Sequence, residues 1–528
     1  MSMDQDRVWT LKDHWRAMVA IVLVSLSSFQ YGLDFGIIGG LQAMVPFLKV
    51  FGKEDPTTPL GYNLQTDRQQ LIASLMVLGA FVSSCSAGFT AQYVGRKMSL
   101  WIACVGVFVS TALMQATTVI GGLYAGRVIL GLANGLLMTH SQLYDIHTQL
   151  TNTQQIQESV PGKYRGLGIS FLTYWVSVGT LIGTIVDNFA AKIPNRNAYI
   201  IPLGIVHIVP GILAIGLFFI PESPRWLAAT GKWGKAERAL ERLRPDGWPV
   251  AQEFAEMRTA LEAEAALQSS IGYLDLFKNP IDSRRTTVAV CALTSQAASG
   301  SMFVISYGTY FFEMANVGNA FENSCILTGV GVVAMAATAF TITKFGRRRV
   351  MMTVGFTCAG ISQLVIAIIY TISPNTQSSG KALVGMSILY IAACSMIAPY
   401  AWLSGGELSS QRLRSHTFGL ATGIGFFFAW LTTFTAPYFI NPESLNWGPK
   451  YGYIWTGCCA IAGLWIFFFL PEVKDRTLEE IDEMFEAQIP ARGFRHYRCT
   501  GTHIALEKAK AEHIAEHIEH AERGEGKM

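Results

Sequence analysis

Twelve separate stretches of mostly apolar residues, each about twenty long, run through this chain, and no other feature limits its fold so strongly. The hydrocarbon core of a bilayer is roughly 30 Å thick and takes about 20 helical residues to cross. No water is there to satisfy the backbone, so runs of this length read as α-helices that bond within themselves. They lie near 17–40, 71–93, 98–117, 119–142, 165–189, 200–220, 286–312, 322–343, 350–372, 383–404, 415–440 and 452–471. The expected fold is an all-α membrane protein. Its parts are an N-terminus at 1–16, six helices over 17–220, a polar linker at 221–285, six helices over 286–471 and a tail at 472–528.

Composition excludes several alternatives. Only 15% of the residues are charged and 51% are hydrophobic, whereas soluble domains average about 25% charged. A net charge of +3 does not argue for nucleic acid. No Gly-x-x-x-x-Gly-Lys-Ser/Thr loop appears, so a nucleotide is not the expected driver and an enzyme is the least expected class. The nine cysteines lack ligand-like spacing, and Cys104, Cys291, Cys358 and Cys394 sit inside apolar runs; they read as buried thiols. The first apolar run is too long for a cleavable signal and reads as the first span. In the tail, His513, His517 and His520 share one helical face, which reads as solvated; no metal or cofactor is expected.

Basic residues orient the chain. Loops on the side of the termini carry Arg96, Lys97, Lys163, Arg165, Lys344, Arg347, Arg348, Arg349, Arg412 and Arg414, while opposite loops carry fewer, among them Lys192, Arg196, Lys381 and Lys450. Positive loops stay inside, so the termini and linker are expected to be cytoplasmic. Within the linker, 233–243 and 251–267 read as amphipathic helices against the membrane face.

The two sets of six carry the same punctuation in the same order. Gly95-Arg96-Lys97 returns as Gly346-Arg347-Arg348; Glu158 seven residues before Arg165 returns as Glu407 seven before Arg414; Pro221-Glu222 returns as Pro471-Glu472. Three matched pairs indicate an internal repeat, hence two pseudo-symmetric six-helix bundles with a solute site at their seam.

These motifs resemble the sugar porter family of the major facilitator superfamily over 17–485. The run Pro221-Glu222-Ser223-Pro224-Arg225-Trp226-Leu227 matches that family's signature after the sixth span. Pro471-Glu472 with Arg476-Thr477-Leu478-Glu479-Glu480-Ile481 matches the one after the twelfth. Gly126-Arg127, Pro399-x-x-Trp402 before Glu407, and the fungal α-glucoside-like run from Tyr307 to Glu313 also fit. The resemblance implies the major facilitator fold and a secondary transporter of a mono- or disaccharide, monomeric, in the plasma membrane and driven by a proton gradient. Carriers or exporters of a non-sugar metabolite, and non-transporting nutrient sensors on the same fold, are the rival readings.

Asp34 lies inside the first apolar run. A carboxylate at membrane depth is costly and functional by default, and at 1.5 Å per residue it falls within a turn or two of the depth of Arg127. The resemblance makes Asp34 the proton-coupling group, tuned by Arg127. Gln296, Gly300 and Tyr307 share one face of the seventh span; the family's sugar-contacting glutamine corresponds to Gln296 and its stacking ring to Trp402. Thr173 stands where the family has glutamine, and Ala297, Met302 and Ser306 replace other polar contacts, which suits a larger or less hydrophilic solute. Arg96, Glu158, Arg165, Glu222, Arg225, Arg347, Glu407, Arg414, Glu472 and Arg476 are the expected cytoplasmic gate. The family's loop aspartates are Gln92 and Thr343 here, and a polar insert at 145–155 reads either as a cytoplasmic loop extension or as a gene-model error.

Overall fold

The computed structural model describes residues 15–499 apart from 57, 59, 160–164, 246, 269–272, 315–317, 375, 411–412, 475 and 477. His513, His517 and His520 of the tail lie outside the described residues. Each apolar run becomes a helix. The spans are, in order, Trp15–Leu41, Thr66–Tyr93, Arg96–Ala116, Ile120–Ser159, Arg165–Ala190, Asn197–Ile205 with Ile208–Phe219, Pro280–Ala298 with Ser301–Met314, Ala320–Lys344, Arg348–Ile372, Gln377–Leu408, Arg414–Ile440 and Gly452–Phe469. Eleven stretches are long and apolar enough to cross a membrane among the residues searched; the fifth span, whose side chains are described from Phe171, is the further helix of the set. Outward-facing rows such as Ile212, Ile215 and Phe219 on the sixth span, and Ile461, Leu464 and Phe468 on the twelfth, are exposed. Apolar belts of that extent on a monomer suit lipid and not water.

The internal repeat is visible in which helices touch. In the first set, spans one and five, two and four, three and four, one and four, three and six, and one and six pack together. Adding six to each number gives the pairs that pack in the second set. The two bundles then meet along spans two and eleven, five and eight, five and ten, and along the first span and the second piece of the seventh.

Spans one and five approach so closely that only glycine fits between them. A methyl group on Gly32 would fall 1.9 Å from the Val176 carbonyl oxygen, and one on Gly179 would fall 2.1 Å from that of Phe29. Gly36 and Gly183, one turn on, repeat the contact. Small residues four apart let backbones touch, which is how helices associate where burial from water supplies no drive.

Two helices differ from expectation. The fourth span continues without a break to Ser159, so 145–155 is helix and not loop. At 1.5 Å per residue, 40 residues reach about 60 Å, well beyond the bilayer core. The seventh span is broken: one piece ends at Ala298, the next starts at Ser301, and Gly300 between them has φ +77° with the Trp455 ring against its Cα.

The linker forms Pro224–Ala229, Trp233–Leu243 and Val250–Gln268, gathered on Trp226, Leu227, Ala236 and Met257. A buried Arg244–Glu253 ion pair ties two of these helices, with Trp248 Nε1 donating to Glu253 at 2.8 Å. After the twelfth span, Leu478–Glu486 folds back under the second bundle. There Arg285 pairs with Asp482 at 2.5 Å and donates to the Leu408 and Ser409 carbonyls.

Candidate functional site

Asp34 faces the interior of the first bundle and is 2% exposed. Two neutral amides hold it: Gln30 Nε2, one turn earlier, donates to Oδ1 at 3.0 Å, and Asn134 of the fourth span donates to Oδ2. Arg127, equally buried, turns its Nε to the Ile72 carbonyl at 2.8 Å, and its Nη2 has no hydrogen-bond partner among the described residues. No hydrogen bond joins Asp34 to Arg127 among the described residues, although the two interact through space. The sequence reading missed Gln30 and Asn134. Both were signalled by spacing, since Gln30 is four residues before Asp34 and Asn134 is seven after Arg127, on the same helical faces.

The expected solute residues divide. Gln296 ends the first piece of the seventh span and is half-buried; Trp402 Nε1 donates to its Oε1 at 3.1 Å, and the Trp402 ring packs at 5.7 Å on Phe418. The Gln296 amide thus lies beside two aromatic rings. Tyr307 is fully buried, and its hydroxyl donates to the Thr433 carbonyl at 2.7 Å; in this state it is a strut between spans seven and eleven. Thr173 is half-buried on the fifth span, one turn from Ser177, whose hydroxyl donates to its carbonyl at 3.2 Å. Near it Trp175 stands edge-on to Phe29 and Phe171.

On the linker side, the gate candidates whose contacts are described act within their own bundles. Glu222 accepts from the Lys97 backbone N–H at 3.1 and 3.2 Å, at the start of the third span. Glu472 accepts from the Arg348 and Arg349 N–H groups at 3.1 and 3.3 Å, at the start of the ninth. The repeat thus places one carboxylate on the positive end of a helix in each bundle. Burial holds Glu472 above the ordinary glutamate range, with Arg348 and these N–H groups opposing. Arg348, one residue past the expected Arg347, makes a two-pronged pair with Glu407 at 2.7 and 2.8 Å; Arg347 is exposed at the helix start. Arg476 donates to Glu480 at 3.4 Å and to the Tyr497 carbonyl at 2.6 Å. Arg96 and Arg225 are half-buried nearby. The side chains of Glu158, Arg165 and Arg414, like those of Gln92 and Thr343, lie outside the described residues.

The opposite end is laced across the seam. Asn441 Nδ2 donates to the Leu64 carbonyl and to Gln69 Oε1, both at 2.9 Å, and its Oδ1 accepts from Asn63 Nδ2 at 3.2 Å. Tyr310 donates to Asn63 Oδ1 at 2.9 Å, and the Thr66 and Ser444 hydroxyls meet at 2.8 Å. Asn63, Gln69 and Asn441 are all buried. Nothing in the sequence reading pointed to this knot.

Residues 19–485 match the profile of the family described as sugar (and other) transporters. The chain belongs to that family. This transporter is 28% identical, over 94% of its own length and 94% of the relative's, to a major facilitator-type transporter of Aspergillus rugulosus. It is 26% identical to a low-affinity glucose transporter of Saccharomyces cerevisiae, over 88% of this chain and 82% of that protein. A high glucose sensor of the same yeast is 27% identical, and the match spans 61% of the sensor's length. In fold, the transporter superposes on a major facilitator proton:xylose symporter with a TM-score of 0.69 at 20% identity, covering 89% of this chain and 99% of that one. The multi-pass helical architecture is therefore the major facilitator fold, and these relatives are not enzymes.

Proposed function

We propose that this transporter carries a mono- or disaccharide by alternating access, in symport with protons bound at Asp34, in a plasma membrane with its termini in the cytoplasm. The observation that carries the reading is the arrangement of Asp34, a buried carboxylate held by two neutral amides beside a buried arginine that has a spare nitrogen. A group so placed changes its best partner with its charge. Ionised, Asp34 accepts from both amides and draws the Arg127 guanidinium; neutral, its O–H donates instead to an amide oxygen, Gln30 Oε1 or Asn134 Oδ1, and Arg127 stays on the Ile72 carbonyl. One proton thereby sets how the first, second and fourth spans are tied, and two such states are what a population shift needs. The paired Gln296 and Trp402 supply the donor and ring that a sugar's hydroxyls and C–H faces require. The side of the membrane follows from the concentration of basic residues near the linker.

The test is uptake of labelled mono- and disaccharides into a transport-deficient host, with a step in outside pH. Wild-type protein should concentrate one of them more strongly at acid pH, and Asp34→Asn should lose both concentration and pH response. Undiminished concentrative uptake by the Asn variant would refute coupling at Asp34. Failure of every sugar in the panel would favour the rival carrier of a non-sugar metabolite. The likeness to a glucose sensor supports a second reading, a receptor that binds sugar without moving it; saturable binding with no flux would establish that one.

A further inference from the structure

The fifth span carries a second carboxylate that coupling at Asp34 does not use. Asp187 is 1% exposed, and among the described residues neither of its oxygens has a hydrogen-bond partner of full geometry. It is pressed on the first span, where a Cβ on Gly40 would fall 2.1 Å from Oδ2; the Gly40 backbone reaches it without hydrogen-bond geometry. Around it run contacts that join the two bundles. One turn earlier, the Thr184 and Thr328 hydroxyls meet at 2.9 Å, and Cys325 Sγ donates to the Thr184 carbonyl at 3.3 Å. Two residues past Gly40, Gln42 Nε2 donates to the Ser306 carbonyl at 3.4 Å. Asp187 is therefore part of the seam on the side away from the linker.

No described cation answers it. The titratable and charged groups on the packed elements are Arg16 at the opposite end of the first span, Tyr31 and Asp34 of the same span, Glu322, Cys325 and Lys344 of the eighth, Lys381, Tyr390, Cys394, Tyr400 and Glu407 of the tenth, and Tyr199 after the fifth. Cys325 is in electrostatic contact with Asp187. An ionised carboxylate buried without a counter-ion, with only the Gly40 backbone to face it, is strongly destabilised, whereas the neutral acid is tolerated. With the seam shut, Asp187 is the acid; with the seam parted, water solvates it and it ionises.

We propose that Asp187 is a proton-binding site of the far-side seal: one carboxyl oxygen takes a proton from water as the bundles close there and returns it when they part. Closing would then consume a proton independently of Asp34, and raising pH would favour the open far side. The inference needs alternating access from the reading above, and neither the solute nor the role of Asp34.

The experiment uses the full chain in proteoliposomes with the same pH on both faces and no sugar. Thr66→Cys with Ser444→Cys places two thiols across the seal, and disulfide formation is followed by mass spectrometry of the linked peptides. Rates are taken as the ratio of the Asp187 protein to the Asp187→Asn protein at each pH, which cancels thiol ionisation. The ratio should fall on the order of tenfold or more between about pH 5 and about pH 8, because linkage works against closing as the open-state carboxylate loses its proton. Asp187→Ser, also neutral, should behave as Asn does and serves if the Asn variant does not assemble. A ratio that stays flat across the range with both variants overturns the proposal, and it leaves sugar transport through Asp34 untouched.

Discussion

The two ends of the seam are built from different chemistry. Away from the linker, neutral amides and hydroxyls from both bundles are knotted together and buried: Asn441 alone spends both amide hydrogens and its oxygen on the first bundle. Near the linker, the described carboxylates turn inward to helix starts and arginines of their own bundle. A neutral knot loses little when water reaches it, so it can be tied and untied. A charge pair that stays within one bundle braces that bundle without tying it to the other. The structure is thus a state shut on the far side, with each bundle braced from below.

That contrast can be broken by substitution. The largest effect is expected from Asn441→Ala, which strands the Leu64 carbonyl, Gln69 and Asn63 together; with about 1–3 kcal/mol for each buried group left unmade, closing should weaken by at least about a hundredfold. Maleimide labelling of Thr66→Cys should rise accordingly, and unchanged labelling would mean the knot does not hold the bundles. Arg348→Lys loses the two-pronged grip on Glu407, and thermal stability should drop by about 1–2 kcal/mol while far-side labelling stays put. A labelling change as large as that of Asn441→Ala would erase the distinction between the ends.

Two smaller effects sharpen it. Because burial raises Glu472, its contribution to stability is complete below the ordinary glutamate range and is lost as pH climbs through the raised value. The melting temperature of Glu472→Gln relative to wild type should therefore climb from about pH 4 to about pH 7; a relative fall would reverse the assignment. Arg258 and Glu262 in the linker pair at 2.9 Å but are 61% and 58% exposed. Arg258→Ala should shift stability by less than about 1 kcal/mol and far-side labelling not at all.

Hydropathy was enough to place the spans because the bilayer imposes one length on all of them, and errors fell at polar ends. The second span starts at Thr66 and not near 71, since Thr66-Asp67-Arg68-Gln69 is helical but polar. The insert at 145–155 looked like loop for the same reason: polarity marks exit from the bilayer, not the end of a helix. The knot around Asn441 was illegible because its partners, Asn63, Leu64 and Gln69, are 372 to 378 residues away, before and in the polar first turn of the second span. Asp187 was legible and was passed over, since a carboxylate at the end of an apolar run is the same signal that singled out Asp34. Tyr307 shows the converse, a residue read from a helical face whose hydroxyl had already been claimed by a neighbouring backbone.

The break at Gly300 sits four residues beyond Gln296, between a piece packed on spans ten and eleven and a piece packed on span one. The backbone ladder is already interrupted there, so a change of angle forfeits few helical bonds. Any other side chain would strain the left-handed backbone and collide with Trp455. A solute bulky enough to bear on Gln296 and on Ser301–Met314 together would act as a splint across a joint, stiffening the elbow that its smaller competitors leave free to flex.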